Sequence, residues 1–247
     1  TLGDMERQRR QTIEQLQRDG VFDMNRELPM PAVVQRIAVV SSSRAAGYQD
    51  FCNELAKSPY RFCLTLFDAV VQGAAAEDSI VDALSRIAAA GEAFDAVVMI
   101  RGGGSSSDLN CFNAYRLCNH VAQFPLPVVT GIGHDKDTSV ADLVAHTALK
   151  TPTAVAAWLV ERMAQADGYL AWAGLQLGNA ALAITHSAAV GLERLGAALA
   201  QQSQRLLQEG RSRLDRAEET LLAAPADLLR GHDRRLAAAS ELLLSYS

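Results

Sequence analysis

The 247-residue sequence lacks several features that would assign it to a class at once. It has no secretory signal and no apolar run long enough to cross a bilayer, so we expect a cytoplasmic protein without membrane contact. Its 4 cysteines show no C-x-x-C spacing, which favours a reducing compartment. Cys111 and Cys118, one heptad apart, are expected to be core residues and not metal ligands or a redox pair. The net charge of -5 gives no general basic surface, so a polyanionic partner must meet local positive sites.

The hydrophobic share of 49% is sufficient for a sizeable core. We predict an N-terminal helix and lead-in over residues 1–32, an α/β domain over 33–153 and a helical coiled-coil arm over 154–247. The chain begins with Thr1 and not with Met, which suggests a processed product or part of a longer protein. The first helix, over residues 1–18, carries several arginines; a phosphate contact and an ordinary solvated face both remain open for it.

Short apolar runs alternate with helical patterns in the middle of the chain. The predicted strands are 36–40, 62–71, 96–100 and 128–131. The predicted helices lie near 46–57, 77–90 and 108–123. This alternation predicts a parallel sheet covered by helices on both faces. Ligands of such sheets bind beyond the carboxyl ends of the strands, near a switch point in the strand order.

The C-terminal third is rich in alanine and leucine, and its leucines recur at heptad spacing. The two leucine series are Leu192, Leu199, Leu206 and Leu214, Leu221, Leu228. We predict that Pro225 breaks this helix and that Asp227–Leu244 forms a second helix folding back on the first. Packing within such a hairpin and docking of a partner both remain open as the use of the leucine stripe.

A glycine-rich loop follows the third predicted strand, with the sequence Arg101-Gly102-Gly103-Gly104-Ser105. Consecutive glycines after a buried strand mark a positive φ or a close backbone approach. The amides of such a loop and the planar donors of Arg101 suit a phosphate group. An ion pair between Arg101 and Asp108 is the structural alternative.

The first predicted strand ends in Ser41-Ser42-Ser43-Arg44, and Asp50 lies in the helix that follows. Ser42 and Ser43 offer hydroxyls, and the helix N-terminus offers amides, to an anion. Ordinary helix capping by these serines is an equally open interpretation.

His134 follows the fourth predicted strand on a Gly-x-Gly turn, beside Asp135 and Asp137. Histidine titrates near neutrality, so it can move a proton to or from a reacting oxygen. Asp137 would orient the imidazole or bind a metal, whereas Asp142 is better placed as a helix residue or a capping partner. Together with Arg101, these groups predict a phosphodiester hydrolase, and the carboxylates would also permit Mg²⁺.

Several motifs in this order resemble the family of the large subunit of bacterial exonuclease VII. They are Arg101–Ser105 with Asp108-Leu109 and Phe112-Asn113, Gly133-His134-x-x-Asp137 with Ala141-Asp142, and Thr151-Pro152-Thr153-Ala154 before the helical arm. The sequence departs from the family pattern at Ser43-Arg44, where the family usually has Pro and Gly, and at Asp135, where it usually has Glu.

The resemblance implies an exonuclease that degrades single-stranded DNA to short oligonucleotides with 5′-phosphates. Its essential groups would be Asp50, Arg101, His134 and Asp137. It implies a two-subunit enzyme in which the arm binds several copies of a small helical subunit, and an OB-fold outside this sequence. Mg²⁺-dependent and metal-independent activity both remain open, with Asp137 and Asp135 as the ligands if a metal binds.

Two other functions remain as alternatives. One is a phosphate- or nucleotide-binding doubly wound module without nuclease activity, which explains the glycine loop but not His134 or the arm. The other is a coiled-coil scaffold with an inert α/β head, for which the arm is the only support.

Overall fold

The computed structural model describes residues 2–90, 93–102, 106–132 and 138–245. Its elements in chain order are α1 (Leu2–Arg18), β1 (Arg36–Ser41), α2 (Ala46–Ala56), β2 (Cys63–Asp68), α3 (Ala76–Ala89), β3 (Ala96–Ile100), a 3-10 helix (Ser106–Asn113), α4 (Tyr115–Ala122), β4 (Val128–Gly131), α5 (Val140–Val144), β5 (Thr147–Ala148) and α6 (Pro152–Ser245). The predicted class, an α/β fold followed by a long helical arm, is confirmed.

The described strands form one parallel sheet in the order β2-β1-β3-β4-β5. The chain starts in the middle at β1, moves to β2 on one side, and then returns to β3 on the other side. The switch point therefore lies between β1 and β3, and the loops after these two strands are neighbours at the carboxyl edge.

Both faces of the sheet are covered, which explains why the central strands are continuous apolar runs. Ala38 and Val40 of β1 face a core to which α1, α3, α4 and α5 contribute. Ile37 and Val39 face the opposite core, to which α2 and the first turns of α6 contribute. Alternate residues of one strand thus enter two separate cores, as the period of two in a strand requires.

The prediction of one helix over 108–123 is wrong, because the helix is interrupted at Ala114. This residue is extended, with φ -68° and ψ 130°, between the 3-10 helix and α4. The preceding residue, Asn113, accepts from the Val140 amide at 2.9 Å through its side chain. Its carbonyl accepts from the Thr12 hydroxyl at 2.9 Å. These long-range bonds hold the carbonyl and side chain of Asn113 where a continuous helix would not place them.

The fifth strand, β5, was not predicted, since two residues carry no periodic pattern. Its position depends on Asn25, a fully buried residue of the lead-in. The Asn25 side-chain oxygen accepts from the amides of Val128 at 2.9 Å and His146 at 3.0 Å. Its amide group donates to the carbonyls of Phe124 and Leu126. One buried side chain therefore ties together the segments that enter β4 and β5.

Helix α6 continues through Pro225, so the predicted break and the returning helix over Asp227–Leu244 are wrong. Proline in a helix interior costs about 3 kcal/mol. The flanking alanines, leucines and arginines are strong helix formers, and they favour continuation on both sides.

The chain divides into two compact units, Thr1–Ala173 and Gly174–Ser247. The predicted domain boundaries after residues 32 and 153 stay predictions. Cys118 is buried and its thiol donates to the Phe112 carbonyl at 3.3 Å, as a core cysteine should. Among the described residues, no helix combines the length and the apolar character that a bilayer span needs.

Candidate functional site

A cleft of about 320 Å³ opens at the carboxyl edge of the sheet, next to the switch point. Its walls come from the loops after β1, β2 and β3. The lining residues are Ser42, Arg44, Ala45, Ala46, Val70, Val71, Gln72 and Gly102. The cleft is therefore where a doubly wound sheet binds ligands.

The N-terminus of α2 forms one wall of this cleft. Its N-cap residue, Ala45, is extended and offers no side-chain hydrogen bond to the first turn. The amides at the start of a helix carry partial positive charge and bind anions when no side chain caps them. Ser42 lines the cleft, but the structure shows no capping bond from Ser42 or Ser43 to α2.

Gly102 lies directly against this helix N-terminus. A β-carbon on Gly102 would lie 3.2 Å from the Gly47 nitrogen, and one on Gly47 would lie 2.8 Å from the Gly102 α-carbon. The Gly47 position is also 3.0 Å from Cγ of Pro152, the first residue of α6. Space therefore requires glycine here, because two backbones meet.

Asp68 at the end of β2 holds the loop after β1 in place. Its carboxylate accepts from the Ser43 amide at 2.7 Å. The hydrogen bonds from Ser43 lower the pKa of Asp68, and the charges of Arg44 and Arg86 act in the same direction. Sequence reasoning missed Asp68; an acid as the last residue of a strand was the available signal. The Ser43 amide is thus bound to Asp68, and Ser42 is the serine that lines the cleft.

Arg101 follows β3, and its backbone amide donates to the Gly131 carbonyl at 3.4 Å. Its side chain is only 5% exposed. Burial raises the pKa of the Cys111 thiol, and the Arg101 charge partly offsets this rise. The guanidinium therefore lies close enough to act on the 3-10 helix, and Gly102 is the neighbour that lines the cleft.

The end of β4 is closely packed against the start of α6. A β-carbon on Gly131 would lie 2.7 Å from Cγ2 of Val155 and 3.2 Å from the Thr151 carbonyl oxygen. Farther along, Ser139 and Asp142 form a reciprocal capping box at the start of α5. The buried Asp142 also accepts from the Thr130 hydroxyl at 2.6 Å. The prediction that Asp142 is a capping partner is therefore confirmed.

Asp50 is exposed and lies within the second turn of α2. The remaining predicted site residues lie outside the described residues: Gly103, Gly104, Ser105, His134, Asp135 and Asp137. Within the part of the chain that the structure describes, no three His, Cys, Asp or Glu side chains form a group suited to a metal ion. The structure thus brings together Ser42 and Gly102, with Arg101 beside Gly102 in the chain.

Comparison with known proteins identifies the family. The family model described as "Exonuclease VII, large subunit" matches residues 21–246. The chain belongs to this family. The match begins after α1 and covers the whole sheet and all of α6.

Relatives with the name "Exodeoxyribonuclease 7 large subunit" agree with this assignment. One from a Cyanothece species is 40% identical over 156 residues, which are 63% of this chain and 37% of the relative. One from Lacticaseibacillus casei is 42% identical over 150 residues, 59% of this chain and 33% of the relative. One from a Nostoc species is 43% identical over 148 residues, 60% of this chain and 35% of the relative. The matched part of the chain thus spans about a third of these relatives' length.

Proposed function

We propose that this chain carries the catalytic head of an exonuclease that hydrolyses single-stranded DNA to short oligonucleotides with 5′-phosphates. In this proposal it works in the cytoplasm as the large subunit of a two-subunit enzyme. Membership of the exonuclease VII large subunit family supports the nuclease class. The names of the relatives support action on DNA and the subunit organisation.

The observation that carries the proposal is the approach of Gly102 to the N-terminus of α2, with 3.2 Å between a Gly102 β-carbon position and the Gly47 nitrogen. This approach brings Gly102, the first glycine after β3, beside uncapped helix amides at the switch point. A DNA phosphate fits such a site because its oxygens accept from backbone amides that are already oriented. The same amides would also bind the phosphate as negative charge increases on its oxygens during hydrolysis.

The reaction needs water to attack phosphorus while the bond from phosphorus to the 3′-oxygen breaks, which leaves the phosphate on the 5′ side. We assign proton transfer to His134, with Asp137 to orient the imidazole, and charge compensation to Arg101. Asp50 is assigned a supporting role at the start of α2. These roles follow the family motif, and the glycines and Ser105 after Arg101 complete the phosphate loop.

A metal requirement is a separate part of the proposal. Asp135 and Asp137 follow His134 in the sequence, and carboxylate oxygens are the ligands that Mg²⁺ prefers. If Mg²⁺ binds, these two residues would hold it and it would neutralise charge on the phosphate. Loss of activity in EDTA would indicate a metal requirement, and activity that persists in EDTA would indicate metal-independent hydrolysis.

The arm offers the surface for the small helical subunit. Leu192, Leu199 and Leu206 recur at heptad spacing and are 73%, 71% and 61% exposed. A stripe of exposed leucines on one helix is typical of a coiled-coil seam that another helix covers. We therefore propose that several copies of the small subunit bind along Gly174–Ser247.

A nuclease assay with the full chain and the small subunit tests the proposal. We expect acid-soluble oligonucleotides from single-stranded DNA and far fewer from double-stranded DNA, with and without EDTA as parallel arms. His134→Ala should abolish release, whereas His120→Gln should leave it unchanged, because His120 bonds to the Arg116 carbonyl of its own helix. Undiminished activity of His134→Ala would remove this residue from the mechanism. Binding of single-stranded DNA without cleavage would favour the phosphate-binding module.

A further inference from the structure

Among the described residues that line the cleft at the carboxyl edge, Arg44 alone carries a formal charge. It lies on the loop after β1, directly before the N-cap of α2. The sequence pattern predicts Arg101 as the positive charge of the site, but Arg101 is only 5% exposed. The exposed cation at the cleft is therefore a different residue.

The backbone on both sides of Arg44 is held by hydrogen bonds. The Ser43 amide donates to the Asp68 carboxylate at 2.7 Å. The Ala45 amide donates to the Ser42 carbonyl at 3.0 Å. The loop is thus fixed before any ligand binds, which lowers the entropy cost of using its side chains.

The Arg44 side chain itself remains available. It is exposed, and within the described residues it forms no ion pair. Among the described residues, its charge acts on Asp68, whose carboxylate already accepts from the Ser43 amide and is also stabilised by the Arg86 charge. A phosphate in the cleft would therefore meet the Arg44 guanidinium, the uncapped amides of α2 and the Ser42 hydroxyl on one side.

We propose that Arg44 is a substrate-binding residue that holds one backbone phosphate of single-stranded DNA at the mouth of this cleft. The inference rests on the proposed function and extends it, because it adds a phosphate contact outside the predicted catalytic set. A guanidinium binds two phosphate oxygens through parallel N–H donors, and it does so without reading the base. The contact should thus strengthen binding of every sequence alike.

The test uses the full chain and measures binding of a fluorescein-labelled oligothymidylate by anisotropy over a series of NaCl concentrations. Arg44→Ala and Arg44→Gln should raise Kd about tenfold, since a charge-assisted contact is lost. The slope of log Kd against log salt should fall by about 0.7, the value for one single-strand phosphate. Arg44→Lys should lie between these variants and the wild type.

Arg61→Ala is the matched control. Arg61 is also exposed, but it lies just before β2, at the opposite edge of the sheet. The Arg61→Ala variant has the same net charge as Arg44→Ala but changes a site far from the cleft. Its Kd and salt slope should therefore stay close to those of the wild type. Equal Kd and slope for Arg44→Ala and Arg61→Ala would overturn the inference, as would a wild-type chain that does not bind oligothymidylate.

The nuclease assay, run on the same variants with the small subunit, separates this inference from the proposed function. Weakened binding in Arg44→Ala with no cleavage by the wild type would support the phosphate contact and contradict the nuclease. If the wild type cleaves DNA and Arg44→Ala binds and cleaves it as Arg61→Ala does, the nuclease would be supported and the phosphate contact contradicted. Retained melting temperature in both variants confirms that the fold is intact.

Discussion

Substituting Gly47 by alanine tests the contact on which the cleft depends. Gly47 lies in the first turn of α2, and its α-carbon faces the loop after β3. The added β-carbon would lie 2.8 Å from the Gly102 α-carbon and 3.0 Å from Cγ of Pro152. Both neighbours are backbone or ring atoms, so neither can rotate away as a long side chain would.

The expected cost follows from these distances. Carbon atoms pack at about 3.5–4.0 Å, so the Gly102 loop must retreat from 2.8 Å by at least about 0.7 Å. Such overpacking costs about 1–3 kcal/mol. Alanine recovers up to about 1 kcal/mol through its higher helix propensity. We therefore expect Gly47→Ala to lower the free energy of unfolding by about 1–2 kcal/mol.

Urea unfolding followed by tryptophan fluorescence measures this change. Both tryptophans of the chain, Trp158 and Trp172, lie in the unit Thr1–Ala173, so the signal reports on the unit that contains the sheet. The same variant should also weaken oligothymidylate binding, because Gly102 moves away from the amides of α2.

Gly168→Ala is the matched control, since it lies in α6 within the same unit and nothing surrounds its β-carbon position within 4 Å. There we expect a gain of up to about 1 kcal/mol. The two glycine-to-alanine changes should thus have opposite signs. A Gly47→Ala protein as stable as Gly168→Ala would refute the close approach of Gly102 to the first turn of α2.

Two further predictions concern buried or half-buried groups. Asp142→Ala should lower the free energy of unfolding by about 3 kcal/mol, because it leaves the Thr130 hydroxyl and the Ser139 amide without their acceptor; a loss below about 1 kcal/mol by urea unfolding would contradict this. Burial lowers the pKa of His146 below 6.5. A hydrogen bond from its ring to the Leu28 backbone raises this pKa, and the Arg162 charge lowers it further. The unfolded state then binds more protons, so stability should fall as pH drops from 6.5 towards the folded pKa, and His146→Gln should flatten that fall.

The residues that form the sheet could be predicted because both faces of its strands are buried. Ala96–Ile100 is buried throughout, and such an apolar run between helical patterns has few alternatives to a covered strand. The Asp142 cap was predictable for a related reason, because a capping box joins residues three apart in the chain. Both the strands and the capping box depend on residues that are close to one another in the chain.

Other features could not be predicted, because they depend on partners distant in the chain. The break at Ala114 follows from bonds that join Asn113 to Thr12 and to Val140. Asp68 holds a loop that lies 25 positions earlier. Pro225 led to the opposite error, because strong helix formers on both sides of it favour continuation of α6.

By itself, the sequence determined that a parallel sheet would end in loops rich in glycine, serine and arginine, because burial and turn chemistry are local properties. Only the tertiary structure decided which of these loops meet. The strand order β2-β1-β3 places Gly102 against Gly47. With Arg101 buried, Arg44 is the exposed cation among the described residues that line the cleft. The physical reason is that strand order and backbone approach arise from contacts between residues far apart in the chain, which no local pattern encodes.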